Sequence, residues 1–359
     1  MEKTAKAVHG AVYRNPHSFF GYCGWPSVCK DDEGVLYAVC SGFRAAHICP
    51  FGKTVLFISR DEGRTWSIPM VINDTYLDDR DAGIISLGGK RLLVTWFTHP
   101  VSCYKTQYSQ YIRNAWGGSG GVLDMYDSIP EGFREGGSWI RVSEDGGMTW
   151  GETVKVPVSA PHGPILRRDG SILYFGKEMY AHDPARPDIV AAYESRDMGK
   201  TWEKLGEVPK PEGTVWNNFH EPHVLELPDG KLLGMIRAEG KEIGPHYTVF
   251  QSVSGDGGKT WSEMASLGIS GSPPHLLQHS TGAVVLVTGR RQQPFGQRAL
   301  ISRDNGKTWC DEYIIREADS SDIGYPCSTE LSDGSILTVY YQHAEGDSFP
   351  SLLWSRWEL

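Results

Sequence analysis

Ser59-Arg-Asp-Glu-Gly-Arg-Thr-Trp66 is the first of five copies of one octapeptide, and that repetition decides the fold. The others are SEDGGMTW at Ser143–Trp150, SRDMGKTW at Ser195–Trp202, SGDGGKTW at Ser254–Trp261 and SRDNGKTW at Ser302–Trp309. Each reads Ser-x-Asp-x-Gly-x-Thr-Trp, the chemistry of a tight turn. Ser and Asp side chains bond nearby backbone N–H groups, Gly takes positive φ, and Trp buries a large apolar area that pins the turn. A short apolar run precedes each copy, as TVLFI does before Ser59, and reads as a strand. These aspartates read as structural, not catalytic.

A second repeat lies between the turns. It is an apolar run, a tight turn ending in Gly, and another apolar run. It occurs six times, at Pro26–Val39, Ala82–Phe97, Gly163–Gly176, Pro222–Ile236, Pro274–Gly289 and Pro326–Tyr341. Each is a β-hairpin by its turn residues. Two hairpin strands, a third strand, and an octapeptide turn into a fourth strand make one propeller blade. The expected fold is therefore all-β, a six-bladed propeller over residues 1–359 as a single domain, with Asp-box turns and almost no helix. The sixth hairpin has a third strand near Ser351–Trp357 but no box after it. The N-terminal segment around Ala11–Arg14 is expected to supply its fourth strand, closing the ring and removing exposed edges. Residues 98–137 read as a long loop over one face.

Composition narrows the function classes. A formal net charge of -9 without any Lys/Arg run argues against nucleic acid and anionic membranes. No apolar stretch reaches the ~20 residues of a membrane span. Met1–Pro16 lacks the apolar core of a signal peptide, so a cytoplasmic location is expected, or a secreted one if a leader has been removed. Seven cysteines, an odd number with no CxxC pair, read as reduced thiols behaving as small hydrophobes. No metal and no cofactor is expected from this spacing.

In a propeller the first strand of every blade lines the axis, so the residues that open those strands converge. They are Trp25, Asp81, Gly163, Glu221, Pro273 and Tyr325, with Arg80, His162, His220 and His223 beside them. Second-strand ends return to the same face with Arg44, His99, Lys177, Glu178, Arg237, Arg290, Arg291, Gln342 and His343. So many ionisable groups at one place predict a pocket, not a scaffold channel. Trp25 is either a flat surface for a sugar ring or channel packing. Asp81 is a general-acid candidate or the partner of Arg80. His162 is a pocket acid/base or a turn residue.

The boxes, the blade count and three segments resemble the sialidase superfamily, a glycosidase group, over nearly the whole chain. FHEPHVLELPDGKLLGMIRAE resembles the segment with a catalytic Glu and a substrate-binding Arg, implying Glu221 and Arg237. GQRALISRDNGKTW resembles a segment with another carboxylate-binding Arg, implying Arg298, and GYPCSTELSDGSILTVYY the segment with a Tyr nucleophile, implying Tyr325. Three departures accompany these. Gly24-Trp25-Pro26 stands where the family has Arg-Ile-Pro. The loop FRAAHICPFGK has His47 but no Asp where the family has its acid/base. The acid that supports the missing arginine is replaced around Tyr341–Gln342.

The resemblance implies a glycosidase acting on the end of a carbohydrate, with an acidic or other terminal sugar and altered specificity. Together with the residues read from the strand starts and ends, the expected catalytic set is Tyr325, Glu221, Asp81 and His162, and the substrate-binding set is Arg237, Arg298, Trp25, Arg80 and Arg290. Asp81, His162 and His47, in that order, are candidates for the acid. A non-catalytic sugar-binding propeller and a polysaccharide lyase, with metal at His162, His220 and His223, are the alternatives.

Overall fold

The computed structural model describes residues 3–115, 121–180, 187–244 and 247–359. Strands make up 45% of the chain and helix 8%, and the strands form six sheets. Blade 1 runs Tyr22–Lys30, Leu36–Arg44, Lys53–Ser59 and Met70–Asn73, in sequence order from axis to rim. Blades 2, 4 and 5 repeat that meander, beginning at Arg80, Phe219 and Pro274. The inner strand of blade 3 is cut to Ile165–Leu166, and Val158–Ser159 pairs with the same neighbour, Ile172–Glu178.

Each sheet is apolar on both faces because it is covered on both sides by neighbouring blades. Leu36, Ala38 and Cys40 of blade 1 pack with Leu337 and Val339 of blade 6, while Tyr37 and Val39 pack with Ile84 and Val94 of blade 2. Alternate residues of one strand thus serve two different interfaces. Of the cysteines, all free, Cys23, Cys40, Cys49 and Cys327 are buried and Cys310 is exposed.

The last blade closes as the sequence implies. Ala7–Tyr13 pairs antiparallel with Ser351–Trp357, starting four residues earlier than the expected segment. One contact was not foreseen. Lys3–Thr4 pairs in parallel with Tyr313 and Ile314 of blade 5, so the N-terminal segment staples two blades. A two-residue pairing carries no periodicity, which hid it from sequence reasoning.

The expectation for residues 98–137 needs correcting. Short helices Val101–Lys105, Ser109–Ala115 and Gly121–Asp124 form here, followed by 3₁₀ turns. Val101, Tyr104, Ile112, Leu123, Tyr126 and Ile129 build a core with Ile48 and Leu77 of blade 1, and Tyr104 stacks on Tyr126 at 4.8 Å. The abundance of Tyr, Ser and Gly reads as a loop, yet Tyr104 and Tyr126 are buried in this core; residues 116–120 of the segment lie outside the described residues.

The boxes are built alike. In the first, Ser59 Oγ donates to Asp61 Oδ1 (2.9 Å), and the carboxylate accepts the Thr65 N–H (2.9 Å) and hydroxyl (2.6 Å). Trp66 Nε1 donates to Gly63 O at 3.0 Å. The fifth differs: Trp309 donates to Gln251 Oε1 of blade 4, and Gln251 returns a bond to Gly306 O. No helix among the described residues is long and apolar enough to cross a membrane.

Hydrogen bonds from the box threonines hold Asp145, Asp197, Asp256 and Asp304 at a pKa of about 2. Unfolded carboxylates titrate near ~4. Folded values below unfolded ones give stability that is present above pH ~4 and lost as pH falls toward ~2. The melting temperature should therefore drop across that window, with a shallower drop for Asp145→Asn. An unchanged melting temperature from pH 5 to 2.5 contradicts this account.

Candidate active site

Four residues that open inner strands have left-handed backbone: Trp25 (φ 54°), Asp81 (φ 50°), Glu221 (φ 46°) and Tyr325 (φ 53°). In the same places the register with the second strand slips, between Gly24 and Ser27, Arg80 and Gly83, His220 and His223, and Gly324 and Cys327. Such a conformation costs roughly 1–3 kcal/mol for a residue with a side chain, and it clusters at functional sites. Here it turns four large side chains off the strand and toward the axis. The result is a cavity of about 610 Å³ on one face of the ring.

At its floor Tyr325 Oη donates to Glu221 Oε1 at 2.5 Å. Arg237 Nη1 bonds Glu221 Oε2 (2.6 Å) and Tyr325 Oη (3.3 Å), and its Nη2 bonds Glu239 (2.8 Å). Burial pushes the Glu221 carboxyl up, but Arg237 and the Tyr325 hydroxyl more than offset it and hold the group ionised, below its ordinary range. Burial, joined by Glu221 and Asp81, pushes the Tyr325 phenol well above its ordinary value, against Arg237 and Arg291. The pair is therefore a resting phenol with an ionised base on its proton. Asp81 lines the same floor. Burial, opposed by Arg80 and reinforced by Glu221, pushes its carboxyl up to about 7.

Among the described residues three arginines line the cavity: Arg80, Arg237 and Arg291. Arg80 donates to Asp78 Oδ2 (3.2 Å) and to His47 O (3.0 Å). Arg237 pairs with Glu221 and Glu239. Arg291 donates Nε to Ile323 O (2.9 Å) and Nη2 to Tyr341 Oη (2.6 Å), and lies 5.4 Å over the Tyr325 ring. Among the described residues it is the cavity arginine whose partners carry no negative charge.

Several sequence expectations land elsewhere. Arg298 is fully buried on the third strand of blade 5, bonds the carbonyls of Gln297 and Pro294, and does not line the cavity. Third strands do not reach the axis, so a motif on one cannot deliver its arginine there. Arg290 is not a lining residue either; its neighbour Arg291 is. Trp25 touches the cavity but is 1% exposed, under the guanidinium groups of Arg80 (4.2 Å) and Arg44 (4.6 Å), so it packs and offers no sugar platform.

His162 is not a pocket residue. It is buried on the axis, bonded through Nδ1 to Ser27 Oγ (3.0 Å), with its ring 5.1 Å from His275. Gly163 takes the left-handed position in this blade, leaving no side chain there to project. His275 stacks on His223 at 4.4 Å, and burial lowers all three imidazoles, keeping them neutral. His220 lies apart, where Lys177 donates to its Nδ1 (3.2 Å). Among the described residues no group of three or more His, Cys, Asp or Glu is placed to hold a metal.

Residues that sequence reasoning missed include Glu239, Tyr247 and Asp322. Glu239 and Tyr247 belong to strand ends of blade 4 and brace Arg237, the ring of Tyr247 lying 4.9 Å from its guanidinium. Strand-end position was the available signal for both. Asp322 precedes blade 6 and bonds Tyr22 and His47 across the ring closure, a pairing of residues about 300 positions apart that no local pattern shows.

Residues 120–338 match the family model described as a BNR repeat-like domain. Among solved structures, a protein of unknown function from Dyadobacter fermentans superposes with a TM-score of 0.77 at 22% identity, over 98% of this chain and 99% of that one. The NanB sialidase from Streptococcus pneumoniae gives 0.69 at 13% identity, over 98% and 70%. The α-L-arabinofuranosidase from Fusarium graminearum gives 0.63 at 12% identity, over 100% and 98%. No curated protein matches. With its boxes, six blades and matched segment, the chain belongs to the BNR repeat-like domain family and has the sialidase fold.

Proposed function

We propose that this protein is a glycoside hydrolase that removes a terminal acidic sugar and is not a typical sialidase. The 2.5 Å bond from Tyr325 Oη to Glu221 carries this reading. A phenol with a raised pKa is a poor nucleophile until a base takes its proton, and an ionised carboxylate sits on that proton. Tyr325 attacks the anomeric carbon, its proton passes to Glu221, and the glycosyl-enzyme is then hydrolysed. A Tyr nucleophile sets sialidases apart from the many glycosidases that work with two carboxylates.

Arg237 has two tasks. Paired with Glu221 it keeps that base ionised, and within reach of Tyr325 Oη it stabilises phenolate character as the proton leaves. Asp81, near Glu221 and Tyr325, is partly protonated at neutral pH, so it does not set a full second negative charge beside the base.

Arg291 supports an acidic sugar as substrate. A partly buried guanidinium whose described hydrogen-bond partners include no carboxylate favours an anion in the cavity. The place of the family's blade-1 arginine is filled by Trp25, and Arg80 reaches the cavity from blade 2 instead, tied to Asp78. That changed spacing of cations argues for a carboxylate held differently from that of a sialoside.

Two outcomes are expected. On the glycoside that the protein cleaves fastest, Tyr325→Phe and Glu221→Gln each lower kcat by at least ~1,000-fold while the acidic sugar still binds. Turnover is weak on an activated sialoside. Unchanged turnover in both variants, or robust sialoside hydrolysis, removes the reading. Separately, Arg291→Ala weakens binding of the acidic sugar by ~10–150-fold, the loss of one charged hydrogen bond of about 1.5–3 kcal/mol. Arg298→Ala lowers the melting temperature and leaves affinity unchanged. Equal affinity losses in the two variants contradict this placement of the anion.

A further inference from the structure

Proton donation to the departing oxygen needs a group that the Tyr325–Glu221 pair does not supply. We propose that His47, oriented by Asp322, is that acid and afterwards the base that activates water. The assignment rests on the glycosidase reading above.

The geometry starts with Nδ1. Tyr22 Oη donates to Asp322 Oδ1 at 3.0 Å, and Tyr341 Oη donates to the same oxygen at 3.3 Å. Tyr22 has then donated its one proton, so its oxygen accepts from His47 Nδ1 (2.8 Å), which also faces Asp322 Oδ1 at 3.2 Å. Donor accounting thus protonates Nδ1 and leaves Nε2, across the ring, as the exchangeable atom. The imidazole lines the cavity and is about one-third exposed, whereas Asp81 is nearly buried on the nucleophile's floor. An acid must flank the scissile bond where the leaving group exits.

The loop that carries His47 is held from two blades. Arg44 Nη2 (2.9 Å) and Arg80 Nη1 (3.0 Å) both donate to His47 O, and the Trp25 ring meets the imidazole edge-on at 4.9 Å. Tyr111 of the helical insertion faces the same backbone. Charged groups near the ring are Asp322, Arg80 and Arg291. Burial lowers the imidazole below its ordinary value, Arg80 and Arg291 add to that, and Asp322 opposes it. Arg291 donates to Tyr341, which donates to Asp322, so the anion-binding arginine and the dyad share one network.

The steps balance. As Tyr325 oxygen bonds the anomeric carbon, the glycosidic C–O bond breaks. His47 acts from its imidazolium form, with both ring nitrogens protonated: the Nε2 proton goes to the leaving oxygen and the Tyr325 proton to Glu221. Water then attacks the same carbon and gives its proton to Nε2. The C–O bond to Tyr325 breaks, and Glu221 returns the proton to the phenol. One glycoside and one water become one sugar and one alcohol.

The test uses two glycosides of the best-cleaved sugar in the full chain, one with a 4-nitrophenyl and one with a methyl leaving group. A 4-nitrophenolate departs without protonation. His47→Ala is expected to lower kcat/KM by 100-fold or more on the methyl glycoside, within the ~10²–10⁴ of general acid catalysis, and by less than ~10-fold on the other. His47→Gln repeats the measurement if the alanine variant folds poorly. Asp322→Asn, a positioning change, should move the basic limb of kcat/KM to lower pH, because the carboxylate that favours imidazolium is gone. Equal losses on both leaving groups overturn the assignment, and a leaving-group dependence in Asp81→Asn instead gives the role to Asp81. Failure of the wild type to cleave any glycoside overturns the glycosidase reading itself, and this assignment with it.

Discussion

Every sheet in this protein is apolar on both faces and is covered there by neighbouring sheets of the same kind. Leu36 and Val39, three residues apart on one strand, face different neighbours, blade 6 and blade 2. Buried apolar area contributes about 25 cal/mol per Å², so an uncovered blade would be severely destabilised. A closed ring is the solution, and it forces the chain's two ends into one sheet, where Ala7–Tyr13 meets Ser351–Trp357. All else in the structure depends on that closure, including the site, because closure is what gathers six strand starts around one axis.

Convergence alone does not make a site. The four left-handed residues show how the backbone takes on strain to turn Trp25, Asp81, Glu221 and Tyr325 inward. The two blades without such a residue have Gly163 and Pro273 in those places, and their contribution to the axis is packing, through His162 and His275. Strain and chemistry thus coincide within the ring. The charges then sort by pairing: Arg80 serves Asp78, Arg237 serves the base, and Arg291 donates to a carbonyl and a phenol, with no carboxylate among its hydrogen-bond partners in the described residues. An excess of positive charge at one wall follows from partners, not from the number of arginines.

The helical insertion and the Asp322 network extend the pocket wall beyond what blades supply. Ile48 ties the loop carrying His47 to the insertion core, and Asp322 ties that loop to blade 6. One wall of the cavity therefore depends on contacts from three separate parts of the chain, which is a reason to expect specificity to reside there.

Sequence by itself determined the ring. Five boxes and six hairpins are local patterns, each fixed by turn chemistry within a few residues, so repetition made blade number, strand order and the closing strand legible. It also pointed to Tyr325, Glu221, Asp81 and Arg237, because inner-strand starts and second-strand ends recur at fixed places in each hairpin. Tertiary structure alone decided which side of a strand faces the cavity. Arg291 and not Arg290 lines it, Arg298 is buried behind it, His162 sits beneath it, and Trp25 is covered by two guanidiniums. The reason is physical: a left-handed bulge shifts the two-residue alternation, and partners such as His47 and Asp322, 275 residues apart, are chosen by ring closure, which no local window of sequence contains.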